Sequence, residues 1–174
     1  VIKLLISEET NEMLDKLVQQ GFILNRIWDR GLSVLNVKYA MNNFEKIFHE
    51  GFAHLFPIAW SDTISNIQSM YNVTTKYLPT PLDDSDYNSP REFFYKNLKY
   101  HEETYNILVQ AIKVANEHGD YNVSKELDSF MRTFNKFMEQ SILLVDKANA
   151  VKNDDWFTFD YMCDKFFVFD GGDD

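Results

Sequence analysis

Glu45, His49, Glu50 and His54 lie within ten residues of one another and have the side-chain types to hold a metal ion. Imidazole and carboxylate are ordinary donors for first-row divalent ions. Each histidine follows an acid by four residues, and residues four apart share a helix face. Either pair, Glu45 with His49 or Glu50 with His54, can offer two donors to one ion. His49 is flanked by Phe48 and Phe52 and suits a hydrogen-bonded histidine at a subunit contact equally well. His54 reads more simply as a surface or half-buried histidine. Asp62, further along, is either a lone metal ligand or a cap for a segment that follows Pro57. His101-Glu102-Glu103 reads as a solvated helix face, and Glu103 and Glu139 are the donors the second half of the chain could add. No Glu-x-x-His occurs, which is the pattern of a dinuclear carboxylate centre inside a helical bundle. Cys163, the one cysteine, has no histidine nearby, and no catalytic nucleophile or phosphate-binding loop is evident. No catalytic residue is assigned.

Composition bounds what can position these groups. At 174 residues the chain is long enough for one domain with a real core. Hydrophobic residues make up 45% and aromatics 16%, while Gly and Pro are scarce, which suits a helical protein. A single cysteine excludes an internal disulfide framework and fits a reducing, cytoplasmic setting. VIKLLI at the start is too short for a signal peptide, and no apolar run approaches the ~18 residues of a membrane span. Net charge is −10. Residues 153–174 hold seven Asp and one Lys, or −6, which leaves −4 for the rest. Without a basic cluster or arm, direct DNA binding is disfavoured, because that affinity comes from Lys and Arg on phosphates.

Hydrophobic periodicity places four long helices. Ser7 caps the first, with Glu8 and Glu9 in its first turn and an end near Tyr39 or Ala40. Gly21 and Gly31 weaken it locally. Asn42-Asn43 signals a turn before a second helix that carries Phe44, Phe48, Phe52, Ile64 and Ile67. Pro57 either kinks that helix or starts a new one, and a kinked single helix is favoured. Residues 72–91, with three prolines and DDSDYNSP, form a long connection, the mark of a crossover between parallel helices in a bundle. Ser89-Pro90-Arg91-Glu92 opens the third helix, with Phe94, Leu98, Tyr105, Leu108, Ile112 and Ala115 on its buried face. Gly119 ends it. Leu127, Phe130, Met131, Phe134, Met138, Ile142, Val145 and Ala148 mark the fourth. The aromatic, acidic residues 153–174 form a separate tail after a bundle of residues 1–152. They predict a short helix whose Trp156, Phe159 and Phe166 or Phe167 pack on the bundle or on a neighbouring subunit.

This layout is all-α and resembles the ferritin-like superfamily: four helices, a long crossover between the second and third, and a short C-terminal helix. More narrowly it resembles the Dps mini-ferritins. Asn36-Val37-Lys38 matches the middle of the family's HWNVKG, and Phe48-His49-Glu50-Gly51-Phe52 looks like its LHEKF. Tyr105 to Lys136, helix–Gly-Asp–helix, is similar to its YETLIEELKEAIELAEEAGDEATADLL…EK run. The resemblance implies a homo-oligomeric shell, a dodecamer in that family. The shell would bind, oxidise and store iron and protect against oxidative stress, as a ferroxidase-type oxidoreductase. It also implies a metal site at a subunit interface with His49 as one ligand. The pattern departs elsewhere. The HW pair reads Val34-Leu35, and the family's two acids fall on Ile64 and Gln68, or on Asp62 and Asn66 after a two-residue shift. The family's Trp reads Glu139. The expected metal residues are therefore His49 with Glu45, Glu50 or Asp62, and the ferroxidase site is weakened. The alternative is a ferritin-fold interaction or structural protein that has lost the metal centre.

Overall fold

The computed structural model describes residues 5–167. Its helices are α1 (Glu8–Tyr39), α2 (Asn42–Phe48), a π-helical segment (His49–Leu55), α3 (Phe56–Met70), α4 (Pro90–Glu117), α5 (Tyr121–Asn149) and α6 (Trp156–Phe166). No strand occurs among the described residues. The α2, π and α3 segments follow one another without a gap and make one rod, so the bundle has four long members. The rod is continuous, as the favoured single helix requires, and its last segment also begins where the alternative put a new helix. Pro57 sits in the first turn of α3, and the irregularity lies just before it.

The chain's own signals set most boundaries. Ser7 accepts from the Thr10 N–H and starts α1. Ala40, at φ 52°, ends it in the left-handed region. Gly119, at φ 76°, turns α4 into α5, the conformation glycine takes at least cost. Other caps are supplied from a distance. Met41 precedes α2 without any side-chain cap. Instead Asp160 of α6 accepts from the Phe44 N–H at 2.6 Å and from the Asn43 N–H at 3.2 Å. The cap signal read at Asn42-Asn43 is thus served by a carboxylate more than a hundred residues away. Likewise Ser89 makes no side-chain cap bond, and the Asn88 N–H donates to Glu92.

Contacts fix the arrangement. Gln20 meets Thr104 and Trp28 meets Asn97, so α1 and α4 are antiparallel. The rod and α1 are joined by a short turn and also run antiparallel, which leaves the rod parallel to α4. The connection between them must travel the length of the bundle, and it does so along α1. Asn11 donates to the Thr74 carbonyl, Gln19 to Pro79, Arg30 to Ser85, and Lys38 and Tyr39 to Tyr87. Asp15 accepts from the Lys76 N–H and from Gln68.

Aromatic packing fills the interior. Trp28 lies against Phe44, Phe48, Phe52 and Phe93. Both helical glycines mark close approaches. A Cβ on Gly21 would sit 2.1 Å from Ser61 Oγ and 2.5 Å from the Pro57 carbonyl, and one on Gly31 would sit 2.2 Å from the Phe93 ring. The weakening expected at these positions is offset by contacts that no larger residue permits. Of the α6 aromatics, Trp156, Phe159 and the following Phe167 are buried, with Phe159 against Phe44 and Phe94 and Phe167 against Phe48. Arg91 ties this end by donating to the Ala148 and Val151 carbonyls beneath the Trp156 ring. Tyr105 and Ile142, expected in the core, are 39% and 45% exposed.

Candidate metal site

The π-helical segment is what assembles the candidate site. In an α-helix, residues five apart are about 140° apart around the axis. Here the turn is widened, with the Phe56 N–H bonding the Gly51 carbonyl five residues back. That brings His49 and His54 side by side, with ring centroids 4.3 Å apart. Donor atoms of His49, Glu50 and His54 all lie within 4.8 Å of one another. Among the described residues this is the one group of three or more such side chains close enough to share an ion.

Two causes of the widening can be seen. Pro57 has no N–H to offer and crowds the carbonyl four residues earlier. That carbonyl, of Ala53, is taken by the Asn25 side chain at 2.6 Å. The second cause is the buried stripe Phe44, Phe48, Phe52, Phe56, Trp60, Ile64, Gln68. It repeats every four residues, so on a uniform α-helix it would drift about 40° per step. The widened turn takes up part of that drift and keeps the stripe on the core. Phe52 and Phe56 can then both reach Phe137, at 5.4 and 3.5 Å between ring centroids. This four-residue period was the signal in the sequence that foretells the π turn, and helical spacing alone passes over it.

Each histidine is buttressed by a carboxylate. His49 Nδ1 is 3.0 Å from Glu45, one turn earlier. His54 Nε2 is 3.0 Å from Asp29 of α1, held at that distance by the packing of the two helices. The carboxylate accepts, so in the His54–Asp29 pair the Nε2 donates, and an imidazole that donates on one side has its other nitrogen free to bind an ion when the ring is neutral. Glu50 is exposed, and the two imidazoles are half-exposed. Of the residues singled out in the sequence, Glu45, His49 and Glu50 therefore come together. His54, read as a surface or half-buried histidine that could pair with Glu50, is half-buried and joins them. Asp29 was not singled out, because only the fold brings it near. Asp62 lies thirteen residues beyond His49, about 20 Å along the rod at 1.5 Å per residue. It is exposed, and its carbonyl accepts from Ser65.

The bundle interior is built differently. Asp15 is the buried carboxylate among the described residues, and it is occupied with Gln68 and Lys76. The central polar groups are neutral. Tyr100 donates to Gln20, Gln20 to Thr104, Trp28 to Asn97, and Asn97 to Ser141. Burial raises the Tyr100 phenol far above its ordinary value. His101, expected on a solvated face with Glu102 and Glu103, is instead fully buried against Phe56 and Phe134. Glu102 and Glu103 do face solvent. The 3.6-residue turn puts His101 in the stripe of Phe94, Asn97, Thr104 and Leu108 and its two neighbours outside it. Burial pushes the His101 imidazole down to about 3, so it is neutral, and neither ring nitrogen has a hydrogen-bond partner among the described residues. Cys163 is buried, donates to the Asp160 carbonyl, and has its thiol pushed up to about 12 by burial and by Asp160 and Asp164. It is no nucleophile.

With four long helices, a crossover along α1 and a short helix closing one end, the protein has the ferritin-like four-helix fold. A solved structure that shares it is the open-pore ferritin of the hyperthermophilic archaeon Archaeoglobus fulgidus. The TM-score is 0.83 at 12% identity, over 92% of this chain and 96% of that one. No protein-family model matches the chain, and no curated protein matches it by sequence. No described helix is long and apolar enough to cross a membrane.

Proposed function

We propose that the protein handles iron as a Dps-like mini-ferritin: a cytoplasmic, homo-oligomeric shell that takes up iron(II), oxidises it slowly and stores it. The observation that carries this is the convergence of His49, Glu50 and His54 within 4.8 Å on the π turn. The ferritin-like fold supports it. Net charge of −10 also suits a particle that gathers cations, since acidic surfaces raise the local concentration of positive ions. Oxidation is weak in this reading because the interior holds neutral polar groups and aromatic rings where a dinuclear centre would need several carboxylates.

The same interior favours a second reading, a ferritin-fold interaction protein without redox chemistry. One experiment separates them. Iron(II) is added anaerobically to the purified protein, air is admitted, and ferric absorbance is followed beside particle mass. A multi-subunit shell that forms ferric mineral faster than buffer, with the rate reduced in His49→Ala, supports iron handling. A monomer or dimer, or a shell no faster than buffer, sinks it in favour of the interaction protein.

A further inference from the structure

We propose that the cluster on the π turn is a mononuclear site for a borderline divalent ion, with zinc the best-fitting occupant and one coordination position left open. The ligands are His49 Nε2, His54 Nδ1 and the Glu50 carboxylate. Asp29 and Glu45 are positioning residues that fix the two imidazoles. This concerns the site on which the iron-handling reading rests, but it makes a different claim about it.

The donor set narrows the ion to a borderline first-row divalent. Two imidazoles and one carboxylate suit zinc and its neighbours, whereas calcium and magnesium ask for oxygen cages. Among first-row ions at such a site, zinc binds more tightly than iron(II). Three protein donors meet the count of an open four-coordinate zinc site, in which water or a ligand takes the fourth place. The acids behind the histidines supply the rest of the argument. Asp29 is the hydrogen-bond partner of His54 Nε2 at 3.0 Å, and the Glu45 carboxylate lies 3.0 Å from His49 Nδ1. A metal-binding histidine commonly donates its other N–H to a carboxylate, which sets its tautomer and raises its basicity. Here His54 is so arranged by Asp29 of α1, and Glu45 of α2 stands close enough to His49 to do the same. Zinc–donor bonds of ~2.0–2.2 Å put tetrahedral donors about 3.4 Å apart. Donor atoms of the three groups lie within 4.8 Å of one another and would have to close in by up to about 1.4 Å, within reach of exposed and half-exposed side chains on a surface turn.

The test uses the full chain stripped of metal. Zinc is titrated against a chromophoric chelator, and cobalt(II) is added as a spectroscopic substitute. The expected result is one equivalent bound per chain, with cobalt bands of four- or five-coordinate intensity. His49→Ala and His54→Ala should each abolish tight binding, and His118→Ala, far from the cluster, should leave it unchanged. Asp29→Asn should weaken zinc about 10- to 100-fold. It should also alter the cobalt spectrum while the thermal midpoint of the metal-free protein stays the same, a combination that a purely structural aspartate would not give. Octahedral cobalt, two equivalents per chain, or unchanged binding in His54→Ala overturns the proposal. Zinc bound one to one without any iron mineral would end the iron-handling reading and leave this site standing. Mineral that forms equally well in His54→Ala, with no tight zinc, would do the reverse.

Discussion

His101 is the residue at which local sequence misleads most. Two glutamates follow it, yet the ring is wholly enclosed and neither nitrogen has a hydrogen-bond partner among the described residues. A buried polar group without a partner costs roughly 1–3 kcal/mol. His101→Leu should therefore raise stability at neutral pH by an amount of that order, read by urea unfolding. The acid response gives a sharper check. Burial pushes the folded imidazole down to about 3, from an ordinary value of 6.5. Between those limits the unfolded chain holds the extra proton, so stability is complete above pH 6.5 and falls as pH is lowered. From pH 7 to 4.5 the loss traceable to this residue is on the order of 2–3 kcal/mol. His101→Leu should be correspondingly less acid-sensitive. Identical losses in the two proteins would show that the ring finds a partner. Glu45, His49 and Glu50 were legible in the sequence as neighbours on one helix. Asp29 was not, because its approach to His54 depends on how α1 packs.

At the scale of elements, the helices were readable because amphipathic stripes and caps are local. Ser7, Ala40, Pro90 and Gly119 all stand where the chain starts or stops a helix. What was not readable is the support each element takes from another. α2 has no cap of its own and borrows the Asp160 carboxylate from α6. Asp160→Ala should cost about 0.5–2 kcal/mol, the ordinary worth of a helix cap. The loss should be concentrated at the first turns of α2, where amide exchange of Asn43 and Phe44 would accelerate. Unchanged exchange there would mean that α2 is held by Phe44 and Phe48 packing alone. Because Glu45 lies in that same first turn, this change should also loosen His49.

For the whole molecule, the order of elements and the long connection were evident before any coordinates, since a proline-rich stretch of that length fits a crossover. Its path was not, because it depends on side chains spaced along α1 that meet backbone far away in sequence. Asp15 is the buried fastener near the start of that path, holding both Gln68 and the Lys76 N–H. Asp15→Ala would strand two donors, and a loss of about 1–3 kcal/mol follows. Cleavage by a protease within residues 71–89 should rise in step. A protein that stays as resistant as the parent would place the hold on the crossover elsewhere, at Gln19 or Arg30.

The π turn also acts as a frameshift in the rod. A regular α-helix laid over this one can match it before His49 or after Leu55, but the two halves differ by one residue's rotation. Any role transferred by counting forward from His49 therefore lands a position off once it passes Leu55. Ile64 and Gln68, reached by such a count, are core residues that face Trp60's side of the bundle. A relative that lacks the extra residue would present a different set of side chains there. Correspondence between such chains has to be read from the angle each side chain takes about the axis, and not from its place in the order.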